Sequence, residues 1–220
     1  MTRTVAALLA VLLAVGCQRA VPNEPVLPTD AGPPPECSED ALRRFVERAP
    51  TMPLDDKRAA RSLLLEMFAM DQCQRQLLSF GASVDAHNSQ EIERMVDHYG
   101  WPGRRTWGKE ADFAAFLIVQ HSDNEAFQER VLAMLDRLRT TGDTSPTYWA
   151  YLDDRLNAVR KQRPQHFGSQ GGCVGTGVWR PLPIEDEAGV EKRRQALGME
   201  PLADYVEHMN GICQGELVPP

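Results

Sequence analysis

Glu110-Ala111-Asp112-Phe113-Ala114-Ala115-Phe116-Leu117-Ile118-Val119 decides the fold. Apart from Glu110 and Asp112, every position is apolar, so a helix over this stretch has no broad wet face. Such a helix is enclosed by protein rather than laid on a surface. It therefore requires other helices around it. It runs straight into Gln120-His121-Ser122-Asp123. Four hydrogen-bonding side chains at the inner end of a buried helix must find partners or a ligand. The expectation is a mainly all-α, single compact multi-helix domain, with this turn in its polar interior.

The surrounding chain supplies the partners. Ser38 with Glu39 and Asp40 reads as a capped helix start, with Leu42, Phe45 and Val46 as its stripe and Pro50 and Pro53 as its end. A longer helix follows from about Asp55 to Phe80. Leu63, Met67, Met70, Gln74, Leu77 and Leu78 share one face of it, and Asp71 and Arg75 form an i,i+4 pair at the edge. Gly81 breaks that helix, and Asp85 or Ser89 starts the next, with Ile92, Met95, Val96 and Tyr99 inward and Gly100 as the stop. Gly100-Trp101-Pro102-Gly103 makes a rigid corner whose tryptophan either walls a pocket or plugs the core. Ser122 with Glu125 reads as a capping box for a helix reaching Thr140 and closed by Gly142, and Asp123 is a second candidate cap.

A further helix spans about Thr147 to Lys161. Tyr148, Tyr151, Leu152, Arg155, Leu156 and Val159 fall on one face of it. Arg155 sits near the centre of that apolar face, where a guanidinium requires a carboxylate or an anionic ligand. Asp153 and Asp154 flank the face, and Asp71 and Asp123 are the other candidate partners. Beyond Gln162 the helical repeat stops. A glycine-rich loop or small β-hairpin is expected near 165–181, then a short helix around 188–197 and a last one from about Pro201. The glycines lack the Gly-Lys-Ser/Thr of a phosphate loop, and no cofactor-binding motif occurs.

The N-terminus reads as an address. Arg3 precedes an Ala/Leu/Val run from Val5 to Val15, too short to span a bilayer, which ends Ala14-Val15-Gly16-Cys17. Small residues before a cysteine resemble the lipobox of bacterial lipoproteins. That resemblance implies cleavage after Gly16 and acylation of Cys17, giving residues 1–16 as signal peptide. Multiple acyl chains anchor stably where one does not. Gln18, by the same resemblance, favours the outer membrane. Residues 17–36 form a Pro-rich tether reaching roughly 60 Å at ~3.1 Å per residue, and residues 37–220 form the domain. The formal charge of the whole chain is -7, and of the mature chain -7 - 1 = -8. With no sustained basic face, a nucleic-acid partner is not expected. The expected partners are the membrane, through the lipid on Cys17, and a small polar or anionic ligand.

Four cysteines remain after Cys17. An even number in an oxidising envelope suggests two disulfides, with Cys37–Cys73 and Cys173–Cys213 favoured among three pairings. The first staples a helical hairpin, and the second ties the C-terminal tail to the glycine-rich loop. No CxxC or close Cys/His spacing suggests a metal site.

Several motifs in order, Leu65-x-Met67-x3-Asp71-x3-Arg75, Gly100-Trp101-Pro102, Gln120-His121-Ser122-Asp123, Tyr151-Leu152-x-Asp154-Arg155, Gln165-x2-Gly168-Ser169-Gln170 and the tail from Pro183 to Tyr205, resemble an uncharacterised bacterial domain family. The resemblance covers about residues 60–206. It departs at Ser122, Phe167 and Ser169, where the family usually carries Ala, Tyr and Thr. It implies shared domain limits and a shared polar cluster, and no activity.

Two functional readings follow. In the first, the domain is a non-catalytic binding or interaction module, with Trp101, Gln120, His121, Arg155, Gln165 and Gln170 as ligand-binding candidates. In the second, it is an envelope hydrolase in which His121 is the general base, oriented by Asp123 or Asp154, and Arg155 holds an anionic group. No Gly-x-Ser-x-Gly nucleophile elbow occurs, and Ser122 reads as a cap.

Overall fold

A computed structural model describes residues 36–48, 55–77 and 81–213. The signal peptide, Cys17, most of the tether, Pro50, Pro53 and Leu78 lie outside these residues. The described chain is mainly helical: α1 Glu39–Glu47, α2 Lys57–Leu77, α3 Gly81–Tyr99, α4 Arg104–Trp107, α5 Lys109–His121, α6 Glu125–Thr141, α7 Pro146–Asp154, α8 Val190–Ala196 and α9 Leu202–Ile212. Helix α7 continues without a break as a π-helix, Arg155–Arg160, and a 3-10 turn, Glu187–Gly189, leads into α8. The antiparallel hairpin of β1 (Gly171–Gly175) and β2 (Val178–Pro181) completes the fold. No described helix is long and apolar enough to cross a membrane.

The apolar stretch behaves as its composition dictates. Helix α5 packs against α2, α3, α4, α6 and α7. Ala111, Ala114, Ala115, Ile118 and Val119 are all but inaccessible, and Phe113 and Phe116 are buried beside Phe68 and Tyr148. Burial of each large apolar side chain is worth about 1.5–3 kcal/mol, so this helix nucleates the main core. The stripes of α1, α2 and α3 pack there through Leu42, Phe45, Leu63, Met67, Met70, Ile92, Met95 and Val96. Leu77 is exposed at the end of α2 rather than buried.

Two local expectations are corrected, and one left open is decided. Helix α3 begins at Gly81, ahead of both Asp85 and Ser89, and Asp85 instead faces α2, where it accepts from Gln74 and Arg75. The Ser122/Glu125 capping box does not form: Asn124 is the N-cap of α6 and accepts from the Phe127 amide. Ser122 is the fully buried C-cap of α5, and its hydroxyl accepts from the Asn124 amide. Trp101 plugs the core, its indole N–H donating to Asp112 at 2.8 Å, so it walls no pocket at the turn. Asp112 also accepts from Thr144 and Arg104, which explains how a carboxylate survives inside the apolar helix.

The chain after the π-helix forms a second layer. Phe167 and Met199 pack on Ala150, while Trp179 and Tyr205 pack with Cys213. Gly171 has no substitute here, because an added Cβ would lie 2.2 Å from the Arg180 carbonyl and 2.3 Å from the Trp179 ring. Disulfides Cys37–Cys73 and Cys173–Cys213 both form, as the favoured pairing has it.

Candidate functional site

Helix α5 ends at His121, and the ring turns towards α2. Its Nδ1 lies 2.8 Å from Oδ1 of Asp71, a side chain only 1% exposed, whereas 20% of the His121 side chain remains accessible. Arg75 donates to the same oxygen at 3.0 Å and to Oδ2 at 3.4 Å, and the Gln72 amide donates to Oδ2. Burial alone would raise the Asp71 pKa, but the hydrogen bond and charge of His121, with Arg75 behind them, together bring it below the ordinary carboxylate value. Arg75 reaches on to Asp85 at 3.0 Å, and Gln74 donates to the same carboxylate. Burial holds the Asp85 pKa above its ordinary value despite Arg75. The Asp71–Arg75 pair expected as an ordinary surface bridge is thus the buried root of a network that reaches across α2, α3 and α5.

A carboxylate on Nδ1 selects the Nδ1–H tautomer of a neutral imidazole and leaves Nε2 as the acceptor. The orienting residue is Asp71 and not Asp123 or Asp154. Asp123 points outward and pairs with Arg160 at 3.1 Å. Asp154 is fully buried in the second layer and accepts from the amides of His166, Phe167 and Ser169 and from the Ser169 hydroxyl. Burial pushes its pKa up against the pull of these four donors.

Arg155 is the other half of the site. The sequence places it on an apolar face, and among the described residues no carboxylate meets it. There its one hydrogen bond runs to Oε1 of Gln170 at 3.5 Å, and its buried Nε has no partner. Burial lowers its pKa, and so do the charges of Arg160 and Arg75, while Asp123 and Asp85 act more weakly in the opposite sense. Arg155 therefore belongs to the same cluster of charges as Arg75 and Asp85. The π-helix brings this about. Its i→i+5 repeat, seen in the Lys161 amide donating to the Leu156 carbonyl, aligns residues five apart. Arg155 and Arg160 consequently face the same end of α5. Arg160 donates to the Ser122 carbonyl at 2.5 Å and to Gln128, and Gln128 in turn donates to the carbonyls of Val119, Gln120 and Ser122. The orphan carbonyls at the end of α5 are thereby satisfied, and the turn is held rigid.

Gln120 is buried beside His121, and its Oε1 has no partner. Gln170 is the point where the second layer touches the site. Gln165 does a different job: its amide donates to the carbonyls of Gln170 and Leu182 and accepts from the Gln170 amide, so it folds the loop that presents Gln170. Of the sequence candidates, the structure brings Arg155 and Gln170 together and sets His121 on the same charge network through Asp71 and Arg75. Trp101, Asp123, Asp154 and Gln165 lie apart from it. Asp85 and Arg160 were not singled out from sequence. Their only signals are long-range partners, which a local pattern does not contain.

A group with metal-ligand chemistry lies in the second layer, where Asp153, Asp154 and His166 converge. It does not suit an ion, because Asp154 spends both oxygens on loop donors. His166 lies 2.5 Å from Asp153 through Nδ1 and 3.0 Å from Glu185 through Nε2. Two cavities are found elsewhere. One of about 260 Å³ is lined by Lys57, Arg58, Arg61, Thr106 and Trp107, and one of about 220 Å³ lies between α3 and the Asp123-Asn124 turn.

No curated protein and no solved structure matches this chain. A family model, described as a family of unknown function (DUF6624), matches residues 52–214, which takes in the Asp71–His121 pair, Arg155 and the whole second layer. With most of its length matched in this way, the chain belongs to the DUF6624 family.

Proposed function

We propose that the domain is an envelope-anchored binding module that takes a small anionic ligand at Arg155. One observation carries this reading: a largely buried guanidinium with an unpartnered Nε, no carboxylate, and two like charges nearby. A buried cation in that setting is costly, and an anion accepting from Nε and Nη would relieve the cost. Arg104, by contrast, is paired with Asp112. Arg194 also lacks a partner on Nη2, but its Nε and Nη1 donate to the carbonyls of Glu200 and Phe167 and it lies over the face of Tyr205, so two of its three nitrogens are bonded where Arg155 has one long contact. Gln170 supplies an adaptable polar contact. The anchoring rests on the sequence around Cys17 and places the site at the periplasmic face or the surface of an outer membrane.

The test is a thermal-shift titration of the soluble domain with succinate and with inorganic phosphate. A ligand at 100 times its Kd adds about 2.7 kcal/mol of stability. Wild type is expected to gain melting temperature with at least one of these anions, and Arg155→Gln is expected to gain none. Equal responses, or no response in wild type, would refute the reading. For the anchor, Cys17→Ser is expected to move the full-length protein from the membrane fraction to the soluble one.

A further inference from the structure

The Asp71–His121 pair exceeds what a binding site needs. A carboxylate buried to 1% exposure, braced by Arg75 and Gln72, fixes one tautomer of an imidazole that is itself partly accessible. The arrangement orients Nε2 as a proton acceptor and stabilises the imidazolium once it forms. Arg75 of α2 touches Asp71 and reaches on to Asp85 of α3, whose carboxyl feels the charges of both members of the pair. Arg155 of the π-helix joins this cluster through the charges of Arg75 and Asp85, while Asp123 and Arg160 pair with each other beyond the turn. Arg75 and Arg160 are engaged with carboxylates, which leaves Arg155 as the cation of the cluster without one.

The geometry points to Asp71 and His121 as a proton-transfer pair that hydrolyses a carboxylic ester whose separate carboxylate is held by Arg155. This rests on the anion site proposed above. Nε2 of His121 takes a proton from water. The hydroxide oxygen bonds to the ester carbonyl carbon, and the tetrahedral intermediate collapses with cleavage of the bond to the alcohol oxygen. The imidazolium returns its proton to that oxygen. The products are a carboxylic acid and an alcohol, and Asp71 keeps its charge throughout. A single imidazole suits this chemistry because attack and departure at a carbonyl lie within reach of one group. In-line displacement at phosphorus puts the leaving oxygen opposite the nucleophile, where one imidazole cannot serve both. His121 is the catalytic residue and Asp71 a positioning residue.

The experiment compares 4-nitrophenyl hydrogen succinate with 4-nitrophenyl acetate as substrates for the folded domain, alongside calorimetric binding of succinate. Wild type is expected to turn over the succinate ester in preference to the acetate. His121→Asn is expected to lose about 100-fold or more in kcat while binding succinate and keeping its melting temperature. Arg155→Gln is expected to erase the preference for the succinate ester. Asp71→Asn is expected to lower kcat and displace the pH profile without raising KM. Succinate binding with no turnover above buffer, or turnover unchanged in His121→Asn, overturns the inference and leaves the binding reading intact. Absence of succinate binding in wild type overturns the inference, and absence of both succinate and phosphate binding overturns the binding reading as well.

Discussion

His166 is the residue whose protonation is most plainly written into its surroundings. Burial opposes its charge, but the hydrogen bond and charge of Asp153, with Glu185 and Asp154 behind them, outweigh that and raise its pKa above the ordinary value. A histidine pKa raised by folding stabilises most below the unfolded value of about 6.5, and the contribution is lost as pH climbs through the folded value. The His166 ring protons should therefore titrate in NMR with a midpoint above that of an unfolded peptide. Exchange of the 166–169 amides, corrected for intrinsic rate, should rise on the alkaline side of that midpoint. A midpoint at or below the peptide value would show that the Asp153 contact does not hold in solution. His121 offers the complementary lesson. Its importance is visible in sequence because it ends an apolar helix, but its partner is fifty residues away in α2. Asp71 reads locally as half of an i,i+4 pair, since periodicity reports which face a side chain takes and not which distant ring meets it.

Among the elements, the π-helix and the loop after it were the least legible. Nothing in Arg155-Leu156-Asn157-Ala158-Val159-Arg160 breaks a 3.6-residue pattern, so the expected α-helix to Lys161 had no visible exception. What accompanies the π register is tertiary: Arg160 at its end is bonded to Gln128 and to the Ser122 carbonyl, partners no local pattern contains. The sequence sets the glutamines against a ligand and Asp154 behind His121 or beside Arg155. In the fold, Asp154 and Gln165 are spent on backbone groups of an irregular loop, which has no ladder of its own to satisfy them. Asp154→Ala strands four donors at roughly 1–3 kcal/mol each, and relaxation recovers part of that. The expected loss is about 3 kcal/mol or more in chemical denaturation. A loss under about 1 kcal/mol would mean the loop finds other partners. Helices α2, α3, α5 and α6, by contrast, followed from apolar spacing and glycine stops, because burial on one face and left-handed caps such as Gly142 are local in sequence.

For the whole molecule, the helices gathered around α5 form a frame and the second layer forms a cover. The cover is tied by Cys173–Cys213, by Arg194 to the Phe167 carbonyl, and by the Tyr205 hydroxyl to the Ser169 carbonyl. It touches the frame's charged cluster at Gln170 and Arg155. Each disulfide closes a separation of 36 or 40 residues, which in the chain-entropy view is worth a few kcal/mol, about 4 each. That accords with the envelope location proposed above. The DUF6624 match covers residues 52–214 of this unit, and its proposed function turns on one side chain at the seam between frame and cover. The most direct measurement is the Arg155 Nε–H resonance of the isotopically labelled domain during a titration with succinate. The account predicts a saturable shift of that one signal with slowed exchange, absent in Arg155→Gln. A signal that stays unmoved while the domain is folded and succinate is in large excess would contradict it.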